Sequence, residues 1–255
     1  MSSKLNGLDR EASEKYWIAQ LHDAKQGNFP PRRSAPAVRS LTKTIALHQS
    51  ASSSLSPMIN ATVLRAAWAM VLARYCDTDD VCFGASVSGP ESMSAPVVVP
   101  VRLRLEPQQT VAEFLRDVRA YASGVVPHEQ FGLQDIIKLS EDARVACDFA
   151  SLLVIHTEGR FVAPAAMTGC SLVVHALLRE NHVVEFSATY DSGSLADTQV
   201  TALSHHFNRV VQQLLAPGEA ETLLRDISLA GPWDVQQATV ANRDVPEAVD
   251  DCQTD

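Results

Sequence analysis

The sequence predicts an α/β fold, an α+β sandwich in which helices pack against one β-sheet. Apolar residues recur three and four positions apart between residues 59 and 75, and this spacing predicts a long helix. Residues 77–80 form a polar turn, and residues 81–87 then alternate apolar with small or polar side chains, as a strand does. Along the chain, five or six strand-like segments alternate with four or five helical ones, which is typical of a layered domain.

Composition restricts the classes of function. The chain has 255 residues, of which 46% are hydrophobic and 20% charged, so it is long enough to bury a core. A net charge of −9 argues against binding nucleic acid or an anionic membrane. No apolar run reaches membrane-spanning length and the start MSSKLNGLDR is not typical of a signal peptide, so we expect a cytoplasmic location. The five cysteines are scattered without a CxxC pair, which favours reduced thiols.

Three further elements are predicted in the first half of the chain. Residues 9–24 predict an N-terminal helix with its apolar residues on one side. Residues 42–48, with the sequence TKTIALH, predict a short strand. Residues 97–105 predict another strand, and Pro100 inside it indicates an edge position or a kink because proline cannot donate a backbone hydrogen bond.

The second half begins with a helix-start signal. The sequence TVAE at residues 110–113 has the form of a capping box and opens a helix through Tyr121. Residues 127–139 predict a turn that leads into a shorter helix. Three later segments predict strands: residues 150–156, 171–178 and 183–190.

The last long helix is predicted at residues 194–215, where Ser194 and Asp197 are spaced as a cap. From residue 218 onward, little periodicity is present, and this part is interpreted as a tail. The pattern therefore divides the chain into a domain of residues 1–217 and a C-terminal segment of residues 218–255.

Searches for catalytic motifs are mostly negative. The sequence has no GxxxxGK[ST], GxGxxG or HExxH, and it gives no reason to assign a catalytic, cofactor-binding or metal-binding residue. The sequence GASVSG at residues 84–89 approaches the GxSxG nucleophile elbow, but Ser88 stands where the second glycine belongs. We interpret these serines as residues on the polar side of a strand.

The eight histidines are interpreted mainly as structural residues. His205 and His206 lie within the last long helix, where we expect them on the surface or partly packed. His22 and His48 have no partner that the sequence identifies. Three histidines in or beside strands are expected to be satisfied sheet or core residues: His156, His175 and His182.

His128 is a weak candidate for a functional role in a turn or in the lining of a tunnel. It lies in PHEQFGL, where a turn led by proline meets the start of a helix, and Glu129 is beside it. A polar turn residue that caps the helix is favoured over a catalytic base. A small acyltransferase that uses His128 as its base is the competing interpretation.

Several segments together resemble the C-terminal half of the condensation domain of fungal nonribosomal peptide synthetases. The resemblance implies one lobe of a two-lobed fold similar to chloramphenicol acetyltransferase. The segment DISLAGPWDVQQATVANRDVPEAV resembles the linker into an adenylation domain, so residues 218–255 are expected to be this linker. The matching segments of the lobe are EKYWIAQL, AAWAMVLARYCDTDDVCFGASVSG, VPVRLRLEPQQTVAEFL, PHEQFGLQDIIKLS, ACDFASLLVIH and VEFSATYDSGSL.

The resemblance also implies a reaction and identifies what this sequence lacks. The family joins an amine on one carrier-protein thioester to an acyl group on another, in a tunnel between the two lobes. Its signature HHxxxDG lies on the first lobe and is absent here, and after His205 and His206 the positions of Asp and Gly hold Val210 and Val211. The segment between Ser88 and Val101 is shorter than in the family. Scaffold roles are implied for Trp68, Phe83, Pro100, Arg102, His128, Gln130, Phe131 and Asp148.

Two functions follow as expectations. The first is a truncated condensation-like protein of secondary-metabolite biosynthesis that is inactive alone, because half of a two-lobed site lacks the orienting imidazole. The alternative is a non-catalytic interaction module that docks a carrier protein or completes a split condensation domain in trans. The expected partners are carrier proteins or other synthetase domains, or a second copy through an exposed lobe face. Partner proteins of the family carry phosphopantetheine, but no cofactor attachment site is seen here.

Overall fold

The computed structural model describes residues 7–31, 38–46, 57–88, 97–156, 169–178, 183–216 and 221–243. These residues form a six-stranded mixed sheet with helices on both faces. The strands are β1 (Val38–Ala46), β2 (Asp80–Ser88), β3 (Val99–Arg104), β4 (Ser151–His156), β5 (Leu172–Leu178) and β6 (Val183–Asp191). The helices are α1 (Gly7–Leu21), α2 (Pro57–Cys76), α3 (Val111–Val125), α4 (Leu133–Ile136), α5 (Glu141–Cys147), α6 (Asp197–Leu215) and α7 (Pro232–Arg243).

The sheet has the strand order β1-β6-β5-β4-β2-β3. Strands β2, β4 and β5 are parallel to one another, whereas β3, β6 and β1 run antiparallel to their neighbours. In this register Ser86 lies beside Val154, Val154 beside His175, and His175 beside Ser187. Because side chains alternate between the two faces of a sheet, these four residues form one row on the same face.

Helix α2 lies at the centre of the larger core. It packs between α3 and α6 against one face of the sheet, and residues 62–73 are all buried. The Trp68 ring contacts the Phe207 ring edge-on, with centroids 6.0 Å apart and planes at 71°. The single apolar face predicted for residues 59–75 is therefore too narrow, because a helix with neighbours on both sides buries its whole surface.

A smaller core covers the opposite face of β2. Helices α1 and α5 pack there, together with the 3₁₀ turn Val126–Phe131 that follows α3. Alternation along the strand directs Cys82 to this face and Phe83 to the larger core, and both side chains are buried. The buried members of the smaller core are Trp17, Leu21, Cys82, Val125, Phe131, Ile136, Ala143, Ala146 and Cys147.

Three local predictions agree with the observed elements. The capping box at residues 110–113 is present, with the Thr110 side chain accepting from the Glu113 N–H and the Glu113 carboxylate accepting from the Thr110 N–H. Strand β3, which contains Pro100, lies at an edge of the sheet. Helix α1 forms but ends at Leu21, three residues earlier than predicted, shortly before Asp23 adopts a φ of 60°.

The predicted cap of the last long helix is wrong. Helix α6 begins at Asp197, and Ala196 precedes it in an extended conformation. The Gln199 side-chain oxygen accepts a hydrogen bond from the Ala196 N–H at 2.8 Å. Ser194 instead donates from its Oγ to the Asp191 carboxylate at 2.8 Å, because the preceding turn brings these two side chains together.

The segment predicted as a tail contains helix α7. Pro232 at the first position and Asp234 in the first turn are both signals for the start of a helix. Every residue from 235 to 242 is exposed, so α7 has no buried face to give it an apolar period. The sequence pattern therefore did not predict it.

Within the described ranges, no helix is both long and apolar enough to cross a membrane. Those ranges also contain no group of three or more His, Cys, Asp and Glu side chains arranged to hold a metal ion. Burial raises the pKa of the Cys82 and Cys147 thiols to about 12, so both remain protonated at neutral pH.

Candidate functional site

His128 lies in the 3₁₀ turn after α3, where it contacts helix α1. Its Nδ1 is 2.9 Å from the Ser13 Oγ, and its ring stacks on Tyr16 with centroids 4.2 Å apart. The Trp17 indole N–H donates to the His128 carbonyl oxygen at 3.2 Å. Because the Ser13 hydroxyl donates to the Asp9 carbonyl at 2.9 Å, the His128 Nδ1–H is the donor to Ser13. These contacts attach α1 to the turn.

Arg102 is a buried guanidinium at the junction of β3, β2 and α1. It donates to the Asp80 carboxylate from Nε at 2.9 Å and from Nη2 at 2.5 Å. It also donates to the backbone carbonyls of His22 and Asp23, just beyond the end of α1. The hydrogen bond with Asp80 raises the pKa of Arg102, so the group stays charged and supports the end of the helix.

Tyr121 of α3 closes the outer edge of the sheet. Its hydroxyl donates to the Pro100 carbonyl at 2.8 Å. Burial raises the pKa of Tyr121, so the phenol remains a donor. The hydroxyl therefore satisfies a backbone group on the edge strand that an added strand would otherwise pair with.

Two histidines lie together on the sheet face opposite α2. His156 ends β4, and its Nε2 is 3.1 Å from the Nδ1 of His175 on β5. Burial, with a smaller contribution from His156, lowers the pKa of His175 to about 4, and burial also lowers the pKa of His156. Both imidazoles are neutral at pH 7, which agrees with the prediction of satisfied sheet histidines.

Residues 84–88 of the sequence GASVSG lie in strand β2 and do not form a nucleophile elbow. A Cβ on Gly84 would lie 2.3 Å from the Phe149 ring, so the glycine admits this aromatic side chain. Ser86 is buried, and its Oγ has no hydrogen-bond partner among the described residues. The elbow requires a turn from strand to helix with an exposed serine, which this strand does not provide.

His205 and His206 contact the first turn of α7. The Trp233 ring stacks on His205 with centroids 4.6 Å apart and planes at 9°. His206 Nε2 is 2.8 Å from the Asp234 carboxylate, and its Nδ1 is 2.9 Å from the Tyr75 hydroxyl. The two histidines are partly packed, as predicted, but the sequence did not identify these partners.

The cavities on the described surface include one beside α2 and one beside α3. One of about 310 Å³ lies beside the end of α2 and is lined by Lys25, Asn28, Thr78, Asp80 and Ser151 among others. The other, of about 500 Å³, is a groove between α1, β3 and α3. Neither is lined by the ring of His128, His175 or His206, whereas the exposed His22 lies at the groove. His48 and His182 lie outside the described residues.

Comparison with known proteins identifies the family. Residues 2–155 match the model of the Condensation domain. The chain is 32% identical over 98% of its length to nonribosomal peptide synthetase TES of Alternaria alternata, of which it covers 5%. It is 30% identical over 95% of its length to N-benzoylphenylalaninol synthetase apmA of Penicillium brevicompactum, of which it covers 11%.

Solved structures show the same fold. The starter condensation domain of rhizomide synthetase RzmA superposes with a TM-score of 0.65 at 14% identity. The X-domain in its complex with OxyB from teicoplanin biosynthesis gives a TM-score of 0.68 at 16% identity. In both cases 88% of this chain is covered, and it spans 56% of the solved chain. The chain therefore belongs to the condensation-domain family of nonribosomal peptide synthetases.

Proposed function

We propose that these 255 residues form the condensation lobe that does not carry HHxxxDG, and that they do not form peptide bonds by themselves. The supporting observation is the combination of a family match with a sequence that contains no HHxxxDG. Acyl transfer to an amine needs an imidazole held within hydrogen-bonding reach of the reacting groups. A lobe without that imidazole supplies shape and binding surface but not the proton transfer.

The contacts of the described histidines support this role. His128 is bonded to Ser13 through Nδ1, both ring nitrogens of His206 are bonded to side chains, and His156 and His175 are bonded to each other. Histidines held in this way stabilise the contacts between elements of the lobe. We infer that their function is structural.

We infer that this chain forms an active condensation domain together with a second lobe that carries HHxxxDG. The chain spans 56% of the solved condensation-type chains, which supports the presence of a complementary lobe in the active unit. Carrier proteins that present the two thioesters are the proposed partners of that unit. Docking of a carrier protein to this lobe alone, self-association and a cytoplasmic location stay predictions.

Mass spectrometry of condensation products tests the proposal. The purified chain is incubated with a donor and an acceptor aminoacyl thioester on carrier proteins, with and without a separately expressed HHxxxDG lobe of a related synthetase. We expect no dipeptidyl thioester from this chain alone and product when both lobes are present. A variant of the added lobe with its second signature histidine replaced by alanine is the control. Product formation by the chain alone would contradict the proposal.

A further inference from the structure

Helix α7 is attached to the rest of the structure through its first turn. Trp233 and Asp234 are partly buried, whereas each residue from 235 to 242 is exposed. Even the apolar side chains of Val235 and Val240 are 67% and 51% exposed. An isolated helix of 12 residues is only marginally stable in water, so α7 depends on the contacts of its first turn.

Those contacts form a continuous chain across three helices. Asp234 of α7 is bonded to His206 of α6, and His206 is bonded to Tyr75 of α2. The Trp233 ring contacts both histidines of α6. It stacks on His205 and lies edge-on to His206, with the Trp233 and His206 centroids 6.3 Å apart. We name the five residues Tyr75, His205, His206, Trp233 and Asp234 the latch.

The protonation states in the latch are mutually consistent. Burial and the nearby Asp234 charge raise the pKa of Tyr75 to about 12, so the phenol stays protonated, and its oxygen lies 2.9 Å from His206 Nδ1. His206 Nε2 lies 2.8 Å from the Asp234 carboxylate, and because a carboxylate only accepts, the Nε2–H is the donor. Burial opposes ionisation of Asp234, but hydrogen bonds from His206 and the Gly231 N–H lower its pKa overall, so the acceptor is charged at neutral pH.

Asp234 has a second role at the start of α7. Its other carboxylate oxygen accepts from the Gly231 N–H at 2.7 Å, immediately before the helix. This hydrogen bond satisfies one of the backbone donors that lack a partner at a helix start. The same carboxylate therefore begins the helix and connects it to α6, whereas His206 serves only the connection.

We propose that α7 is a strap that opens as a unit at the latch while α2 and α6 remain folded. The closed latch fixes the orientation of α7 relative to α6, and opening frees that orientation. The physical basis is that the strap is held by a few side-chain contacts, whereas α2 and α6 are packed in the larger core.

Hydrogen exchange of the full chain, followed by mass spectrometry, tests the strap. In His206→Ala we expect the amides of residues 233–243 to exchange roughly ten- to a hundred-fold faster, because a hydrogen bond to a charged group is lost. The amides of α2 and α6 keep their protection. Tyr75→Phe, which retains the ring, gives a smaller change in the same direction. Gln237→Ala, on the exposed part of α7, is the matched control and leaves the exchange unchanged.

Fluorescence of Trp233 gives an independent readout. Trp17 and Trp68 are fully buried, so opening of the latch shifts the emission through Trp233. We expect a red shift in His206→Ala at native conditions and none in Gln237→Ala. Unchanged protection of residues 233–243 in both His206→Ala and Tyr75→Phe would overturn the proposal. Equal loss of protection in α6 and α7 would also overturn it, because α7 would then open only with the lobe.

Discussion

The Tyr121 hydroxyl donates a hydrogen bond to the Pro100 carbonyl 2.8 Å away, across the outer edge of the sheet. Pro100 lies on the edge strand β3. An edge strand presents backbone groups that pair readily with another chain. Here the Tyr121 side chain of α3 bonds to the Pro100 carbonyl and covers the strand edge at this position.

Replacing Tyr121 with phenylalanine removes only the hydroxyl. We expect a loss of about 1–3 kcal/mol in the free energy of unfolding, because the carbonyl of the buried Pro100 is left without this partner. Urea denaturation followed by circular dichroism measures the change. Tyr16→Phe is the matched control, since no hydrogen bond of the Tyr16 hydroxyl is found among the described residues. Equal midpoints for the two variants would show that the edge contact contributes nothing.

Two arginines beside Asp80 provide a second comparison. The side chain of Arg102 is 5% exposed and bonds the carboxylate twice, whereas that of Arg104 is 61% exposed and lies 3.6 Å from it. Arg102→Ala is expected to cost about 3–5 kcal/mol, because it removes both hydrogen bonds to a partly buried carboxylate and those to the carbonyls at the end of α1. Arg104→Ala is expected to cost less than about 1 kcal/mol. Thermal denaturation of both variants checks the difference, and similar losses would contradict it.

Local sequence signals predicted the centre of this fold well. The helix α2 and strand β2 follow from apolar spacing because both elements bury the side chains that define their periods. The capping box at residues 110–113 was recognisable because its two residues satisfy each other within one turn. The edge position of β3 followed from the chemistry of Pro100.

The sequence did not predict which residues contact one another in the candidate sites. His206 meets Tyr75 across 131 positions of sequence, so their contact depends on how α2 and α6 pack. The pairing of His156 with His175 requires β4 and β5 to be neighbours in the sheet. No local sequence pattern predicts that these two strands pair. Helix α7 was missed because its exposed residues have no apolar period. Recognising Pro232 and Asp234 as a helix start would have found it.

The buried histidine pair makes stability depend on pH. The pKa of His175 is lowered to about 4 in the folded protein, while the unfolded chain takes up the proton near the ordinary value of 6.5. Between these values the unfolded state binds more protons, so the free energy of unfolding falls as pH decreases from 7 toward 4. The full loss is on the order of 3 kcal/mol, and protonation of the unfolded His156 acts in the same direction.

Urea unfolding at pH 7 and at pH 4.5 measures this dependence. We expect His175→Gln, which retains polar groups but does not titrate, to weaken the dependence on pH. The exposed His22 provides the control, and His22→Gln is expected to keep the wild-type dependence. The same slope in His175→Gln and in wild type would show that the histidine pair is not its source.

His128 distinguishes a structural role from catalysis. If its ring attaches α1 through Ser13 and Tyr16, then His128→Ala lowers the free energy of unfolding by about 1–2 kcal/mol, because a hydrogen bond and a ring contact are lost. In a double-mutant cycle with Ser13→Ala, the two losses are not additive, since both changes remove the same hydrogen bond. Gln130→Ala, an exposed neighbour, serves as the control. Product formation by the two-lobed unit is expected to remain in His128→Ala under conditions where the variant is folded. Loss of that activity with additive stability changes would instead support the acyltransferase interpretation.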